Sequence, residues 1–393
     1  MSPAATNADI DALEAQGQRL MAAFTRAGYE RIAPAVIQPA GLFLDVIGEQ
    51  LRARTYVFTD PDGAELCLRP DLTVPTCRLH LQRHAKGTTP ARYCYSGSAF
   101  RYQPAGADRA HPREFRQAGI ESFAAPDREA DDAAVCALIV DTLRASNVGD
   151  YLVRIGDLGL FDALINALPM PERWRRRLKH QFWRPEAFRA ELARLTSEAA
   201  ALASGVPAAL LDRLDPADPA GAEALVMEHL DQAGHELIGS RTAGEIAERL
   251  LARAADRRET PLSRDTAQLI EDYISIRTGA GNVAEAMRQL ARRQKLDLSA
   301  GIDAFERRLG LLDSAGVNAR GLEFSAEFGR NLEYYTGFVF EVLSPALGPK
   351  SPVAGGGRYD SLLADVGAPS QVPAVGACIH TERLLAVLEG RAP

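Results

Sequence analysis

The chain of 393 residues is 46% hydrophobic and 25% charged with a net charge of -7, the balance of an ordinary globular protein of about two domains. The acid excess speaks against a dedicated nucleic-acid binder, which shows a basic face, and no apolar run reaches the ~18 residues of a membrane span. Cys67, Cys77, Cys94, Cys136 and Cys378 are odd in number without Cys-x-x-Cys spacing, and the start of the chain lacks a signal peptide's charged and apolar regions. A cytoplasmic protein with reduced thiols and neither metal nor other cofactor is expected.

From Asp9 to Gly28 the apolar residues Ile10, Leu13, Leu20, Met21 and Phe24 recur at helical spacing, with Gly28 as the stop. After Pro34, Pro39 and Gly41 comes a short helical stretch, Leu42 to Ile47. Thr55 to Leu68 reads as a hairpin, two β-rich arms around Pro61-Asp62-Gly63. It runs into Arg69-Pro70-Asp71-Leu72-Thr73 and a helix from Val74 to His84. His80 and His84 share a helix face at metal-ligand spacing, but no Glu accompanies them, and they read as ordinary helix residues.

Ala91 to Gln103 is a strand, Pro104 to Pro112 a polar loop, and Glu114 to Phe123 the return strand of an antiparallel pair. By the period of two, Gln117, Gly119 and Glu121 share one face, so Gln117 and Glu121 look into one pocket; the plain alternative is an edge hairpin with a solvated face. A helix spans 127–146, a strand 152–156 and a helix 158–168. From 169 to about 319 Ala, Leu, Arg and Glu dominate and strand signals almost vanish, which predicts a helical insertion. Glu245 and Arg249 stand at i,i+4 on one of its helices. Its basic run, Trp174 to His180, reads as a solvated face or as a contact for an acidic or phosphate-bearing partner.

The strand-rich texture resumes at Leu322. Phe328 to Glu341 puts Arg330, Glu333, Tyr334 and Tyr335 on a turn leading into a buried strand from Phe338. A cation for a carboxylate, phenols for ring nitrogens and aromatic faces for a ring suit a small zwitterion; two core tyrosines and a surface arginine are the plain alternative. The glycine cluster Gly355 to Gly357 allows close backbone approach, and a strand from Val375 feeds a last helix carrying Arg383.

Leu68 to Thr73, Phe100-Arg101-Tyr102, Arg113 to Gln117 with Gly119-Ile120-Glu121, Arg330 to Glu341, Gly355 to Leu362 and Glu382-Arg383-Leu384 together resemble the catalytic domain of histidyl-tRNA synthetase, in the family's order. The resemblance implies an α+β fold: a class II aminoacyl-tRNA synthetase-like antiparallel sheet flanked by helices, over 1–168 and 320–393. The helical insertion at 169–319 interrupts it, and no C-terminal anticodon-binding domain is expected. It also implies a histidine pocket of Asp71, Leu72, Thr73, Arg101, Gln117, Glu121, Arg330, Tyr334 and Tyr335, with Tyr359 nearby. Acidic groups there suit an ammonium or ring N–H, and the arginines a carboxylate.

Asp71 stands where the synthetases carry the longer Glu. Their Phe-Arg-x-Glu ends here in Gln103, a triphosphate-gripping arginine is His111, and a glycine beside the nucleotide is His380. Each of the last two changes should weaken nucleotide or transition-state binding by roughly a few kcal/mol. Arg113 and Arg383 remain as residual nucleotide-side groups. These departures resemble the family of synthetase paralogues that act as regulatory subunits of ATP phosphoribosyltransferase. That resemblance implies a non-catalytic homodimer within a hetero-oligomer, a short-form catalytic subunit as partner, L-histidine as effector, and no tRNA or membrane partner. A synthetase working without its own anticodon domain, a free-standing amino-acid-binding module and a bare scaffold remain the alternatives.

Overall fold

The computed structural model describes residues 7–44, 49–104, 106, 111–197, 208–232, 242–328 and 334–390. The chain divides into two compact units, Met1–Ala167 with Asp272–Pro393, and Leu168–Glu271.

The first unit holds β1 (Glu30–Arg31), β2 (Ile37–Pro39), β3 (Val57–Thr59), β4 (Glu65–Leu68), β5 (Ala91–Phe100), β6 (Glu114–Phe123) and β7 (Leu152–Asp157). It also holds β8 (Arg277–Gly279), β9 (Glu323–Ser325), β10 (Phe338–Leu343), β11 (Ala354–Arg358) and β12 (Ala374–His380). Nine of these form one sheet in the order β1-β5-β6-β12-β11-β10-β7-β9-β8, and β2-β4-β3 form a second. Among the described residues, only the β1–β5 and β7–β9 pairs are parallel. This is the α+β sheet anticipated from the sequence. In the 55–68 hairpin the Asp60 carboxylate accepts the N–H groups of Asp62 and Ala64, and Gly63 takes the positive φ of 86° that the turn requires.

The faces of the large sheet follow from the period of two. Ile120 and Ser122 point to one side, where the Ser122 hydroxyl donates to Asp131 of the helix Arg128–Ala145. That helix is capped by Asp127 and buries residues around most of its circumference, because the helix Ser299–Ser314 covers its outer side. Arg307 and Arg308 of the outer helix reach Asp127, Glu129 and Asp132 of the inner one. Gln117, Gly119 and Glu121 point to the other side.

The second unit ends at Glu271, whereas the sequence carries the helical stretch to 319. Strand β8 and the helices Val283–Gln294 and Ser299–Ser314 therefore build onto the sheet unit. Three residues of β8 are too short for alternation to register in sequence.

Within the second unit, Leu210, Leu211, Leu214, Val226, Leu250 and Leu251 form an apolar core. Its basic run is partly engaged, with Arg175 and Arg177 half-buried and Arg176 and His180 exposed. Asp256 accepts from Arg173 (2.8 Å), Trp174 Nε1 (2.7 Å) and Arg177 (2.6 Å), and Arg175 donates to the Leu168 carbonyl. Burial alone would raise the Asp256 carboxyl, but these donors hold it below its ordinary range. Glu245, expected to pair with Arg249, instead closes a capping box, accepting from the Thr242 N–H at 2.8 Å.

Candidate functional site

Register, a long-range property, assembles the site. Across the sheet Tyr93 faces Glu121, Glu121 faces Gly376, Gly376 faces Gly357, Gly357 faces Val339 and Val339 faces Gly156. Two residues along, Tyr95, Gly119, Cys378 and Gly355 form the next row on the same face. Glycines thus leave a floor of bare backbone beside Glu121. A Cβ on Gly376 would lie 1.5 Å from Glu121 Oε2, and one on Gly119 would lie 2.6 Å from the Tyr95 hydroxyl.

Glu121 is fully buried. Its Oε1 accepts from Thr73 Oγ1 and from the Tyr95 hydroxyl, each at 2.8 Å, and its Oε2 accepts from the Tyr359 hydroxyl. Burial pushes this carboxyl from 4.5 up to about 7; the three hydroxyls pull it down and neighbouring Asp71 pushes it further up. Burial also drives the Tyr95 and Tyr359 phenols well above their usual value, so both are donors at neutral pH.

Asp71 is equally deep. Its Oδ1 accepts the Val74 N–H at 3.2 Å, at the start of the helix Thr73–Arg83. Its Oδ2 is buried without a hydrogen-bond partner among the described residues. Burial raises the Asp71 carboxyl, with Arg101 the leading opposing charge. An unpartnered carboxylate oxygen at 3% exposure calls for a donor that the described residues do not supply. Leu72 between them packs into the core, and Arg69 pins the segment by donating to the Ser98 and Pro34 carbonyls.

Around these acids the structure gathers most of the residues picked from sequence. Gln117 is buried with Nε2 3.4 Å from Cys378 Sγ. The rings of Tyr334 and Tyr335 lie 5.1 Å apart, and that of Tyr359 lies 5.7 Å from Tyr334 and 6.4 Å from Tyr335. Arg101 donates from Nε to the Pro70 carbonyl and lies 5.1 Å over the Phe115 ring. Arg330 lies outside the described residues. Tyr95 and Gly376 escaped the sequence reading, which placed Gly119 on the face of Gln117 and Glu121 without giving it a role. Tyr95 had a usable signal, since it alternates with Tyr93 on the outgoing arm of the same hairpin.

The positions expected on the nucleotide side make contacts with the chain's own groups. His380 is 5% exposed, its ring 5.8 Å from that of Phe115. Gln103 Oε1 accepts from Arg54, and its Nε2 donates to the Pro112 carbonyl at 3.1 Å. Arg113 lies 5.6 Å over Tyr102, His111 Nε2 is 3.4 Å from Ser351 Oγ, and Arg383 donates to the Pro352 carbonyl at 2.9 Å.

His80 is a core residue, Nδ1 3.3 Å from the Tyr93 hydroxyl and Nε2 3.0 Å from the Gly87 carbonyl. Among the described residues no cluster of three or more His, Cys, Asp or Glu could hold a metal ion, and no helix is long and apolar enough to cross a membrane.

Comparison with known proteins places this geometry. The family described as histidyl-tRNA synthetase matches residues 5–384. The ATP phosphoribosyltransferase regulatory subunit of Agrobacterium fabrum is 36% identical over 387 residues, 96% of this chain and 98% of that one. The subunit of the same name from Brucella anthropi is 35% identical over 356 residues, 90% of this chain and 92% of that one. A solved ATP phosphoribosyltransferase regulatory subunit/histidyl-tRNA synthetase from Bacillus halodurans shares the fold at a TM-score of 0.67 and 20% identity, over 98% of this chain and 81% of that one. A histidine–tRNA ligase subunit from Alicyclobacillus acidocaldarius superposes at 0.58 and 25% identity, over 98% and 95%.

Proposed function

We propose a function from one premise: the chain belongs to the histidyl-tRNA synthetase family, among those members that are regulatory subunits of ATP phosphoribosyltransferase. In this reading it joins a short-form catalytic subunit as a homodimer within a hetero-oligomer. It supports that subunit in condensing ATP with phosphoribosyl pyrophosphate, the first step of histidine biosynthesis, and subjects it to feedback inhibition by histidine.

The observation that carries the reading is the pair of buried acids, Asp71 with an unpartnered Oδ2 and Glu121 ringed by hydroxyls. The α-ammonium of histidine sits on Asp71, its carboxylate on Arg101 and Arg330, and its imidazole among Tyr334, Tyr335 and Tyr359 with Gln117 and Glu121 at its edge. The packing of His380 on Phe115 and the tie between Arg54 and Gln103 support a subunit that is not catalytic by itself. Its output is a coupling free energy, typically ~1–3 kcal/mol, between histidine and the partner's active site.

Reconstitution with a short catalytic subunit tests this. Phosphoribosyl-ATP formation should require both chains and fall on adding histidine. Asp71→Asn should still support activity while needing roughly tenfold more histidine for half-inhibition, the equivalent of one weakened charged hydrogen bond. Activity indifferent to this chain, or inhibition indifferent to Asp71, would refute the reading. The synthetase alternative makes the opposite forecast, histidine-dependent ATP–pyrophosphate exchange by the chain alone. In this reading wild type shows none, and His380→Gly improves ATP binding about tenfold by vacating the face of Phe115.

A further inference from the structure

Behind the pocket, on the opposite face of the sheet, lies a buried ionic cluster that the function above does not use. Asp132 Oδ2 accepts from Arg308 Nε at 2.9 Å, and its Oδ1 accepts from Arg358 Nε at 2.8 Å. Arg308 also donates to Asp157 Oδ2 at 2.5 Å, and Arg358 to Asp360 Oδ1 and the Arg128 carbonyl at 2.8 and 2.9 Å. The remaining carboxylate oxygens are engaged too: Asp157 Oδ1 accepts the Gly159 N–H, and Asp360 Oδ2 lies 3.4 Å from Arg128 Nε, while Asp360 Oδ1 also accepts the Ala374 N–H. Asp132 is wholly buried, and Arg308 and Arg358 are nearly so.

Such a cluster is weak ground for stability. Desolvating several charges offsets most of what their attraction returns, and apolar replacements are often neutral or better. What it does supply is fixed geometry at one place. Arg358 and Asp360, both held by the cluster, flank Tyr359, whose side chain passes to the other face and donates to Glu121. The turn carrying Tyr334 and Tyr335 is tied to the same three residues, because Thr336 N–H donates to the Arg358 carbonyl (2.8 Å) and Asp360 N–H donates to Thr336 Oγ1 (2.9 Å). Gly337 closes against the Arg358 stem, where an added Cβ would lie 3.2 Å from Cδ.

We propose that Arg308, acting with Asp132 through Arg358, is a positioning residue for the ligand pocket: it fixes Tyr359 on Glu121 and the tyrosine turn above it from the far side of the sheet. The ligand arm of this proposal rests on the histidine reading, while the contact between Tyr359 and Glu121 does not.

The test is a double-mutant cycle in the full chain between Arg308→Lys and Tyr359→Phe. Lysine keeps a cation but loses the planar fork that joins Asp132 to Asp157, and phenylalanine removes only the hydroxyl. Two sites on opposite faces would give additive effects if independent. Instead, each single variant should weaken histidine binding about tenfold by calorimetry, and the double variant no more than about tenfold rather than a hundredfold. The pH midpoint of binding, set by Glu121 losing a hydroxyl donor, should rise in both singles and no further in the double. The same cycle by urea denaturation of the free protein should show the Tyr359→Phe shift in midpoint at least halved in the Arg308→Lys background. If Arg308→Lys does not fold, Asp157→Asn, which keeps Asp132 engaged, takes its place in the cycle. Absence of histidine heat in wild type would sink the pocket reading alone, since the urea cycle still decides the coupling. Additivity in that cycle overturns the proposal.

Discussion

Glu121→Ala is expected to abolish histidine binding and to lower the stability of the sheet unit by roughly 3 kcal/mol or more. The loss comes from what it leaves behind: Thr73, Tyr95 and Tyr359 each aim a hydroxyl at this carboxylate. A buried donor stripped of its acceptor costs about 1–3 kcal/mol. Glu121→Gln keeps an acceptor of the same reach and isolates the charge. Because burial lifts this carboxyl from 4.5 to about 7, the native state holds a proton that the unfolded chain has already released. Stability therefore declines as pH rises between those values and levels off above about 7, and the glutamine variant lacks that decline. A cationic ligand works in the other direction. The ammonium of histidine, seated on neighbouring Asp71, favours the ionised form of Glu121, so affinity in wild type should climb as pH rises through about 7, with proton release on binding. The titration of the free ligand's imidazole is common to both proteins and cancels in the comparison. Thermal melts across pH, and calorimetry in buffers of different ionisation enthalpy, check the two halves; parallel pH profiles for wild type and Glu121→Gln would remove Glu121 from the binding step.

Alanine at two neighbouring glycines should separate packing from function. At Gly356 an added Cβ would lie 2.2 Å from the Gly376 carbonyl oxygen and 2.4 Å from Ala377 Cβ, so strands β11 and β12 would have to part. Overpacking of this kind costs typically 1–3 kcal/mol, and more where backbone is the obstacle, so Gly356→Ala should be the most destabilising of the pair. At Gly376 the obstacle is the Glu121 carboxylate itself, 1.5 Å away. The acid can give way by swinging Oε2 off the Tyr359 hydroxyl while Oε1 keeps Thr73 and Tyr95, so Gly376→Ala should keep more stability while losing histidine affinity by about a hundredfold. Gly310, in the helix Ser299–Ser314 with open space at its Cβ position, is the control and should gain up to about 1 kcal/mol as alanine. Denaturant midpoints and binding isotherms on the three variants check the ordering; equal binding losses at Gly356 and Gly376 would mean general damage rather than displacement of Glu121.

The contrast shows what sequence conveys and what it withholds. The hairpin of β5 and β6, with Gln117 and Glu121 on one face, was legible because alternation is local and its turn residues explicit. The glycines opposite Glu121 were not, because Gly376 and Gly357 come from strands more than 230 residues further on, and their register depends on every pairing between. No local signal marks Arg308, and only the tertiary fold buries it beside Asp132 and Asp157. The boundary at Glu271 was obscured for a related reason: helices that build onto a sheet carry the same apolar period as helices that pack on one another. Gln103 and His380 could be recognised as departures, yet their present contacts with Arg54 and Phe115 could not be read from the chain.

The glycine rows bear on selectivity. A base made of main chain has no rotamers, so it cannot yield to a bulkier guest; the torsions to spare belong to the side chains around it, the tyrosines, Gln117 and Arg101 among them. An imidazole methylated on the side turned towards the strands would meet unyielding atoms, while the same methyl turned outward could be absorbed by a tilting ring. Discrimination among close relatives of histidine should therefore be steep in one direction and forgiving in the other.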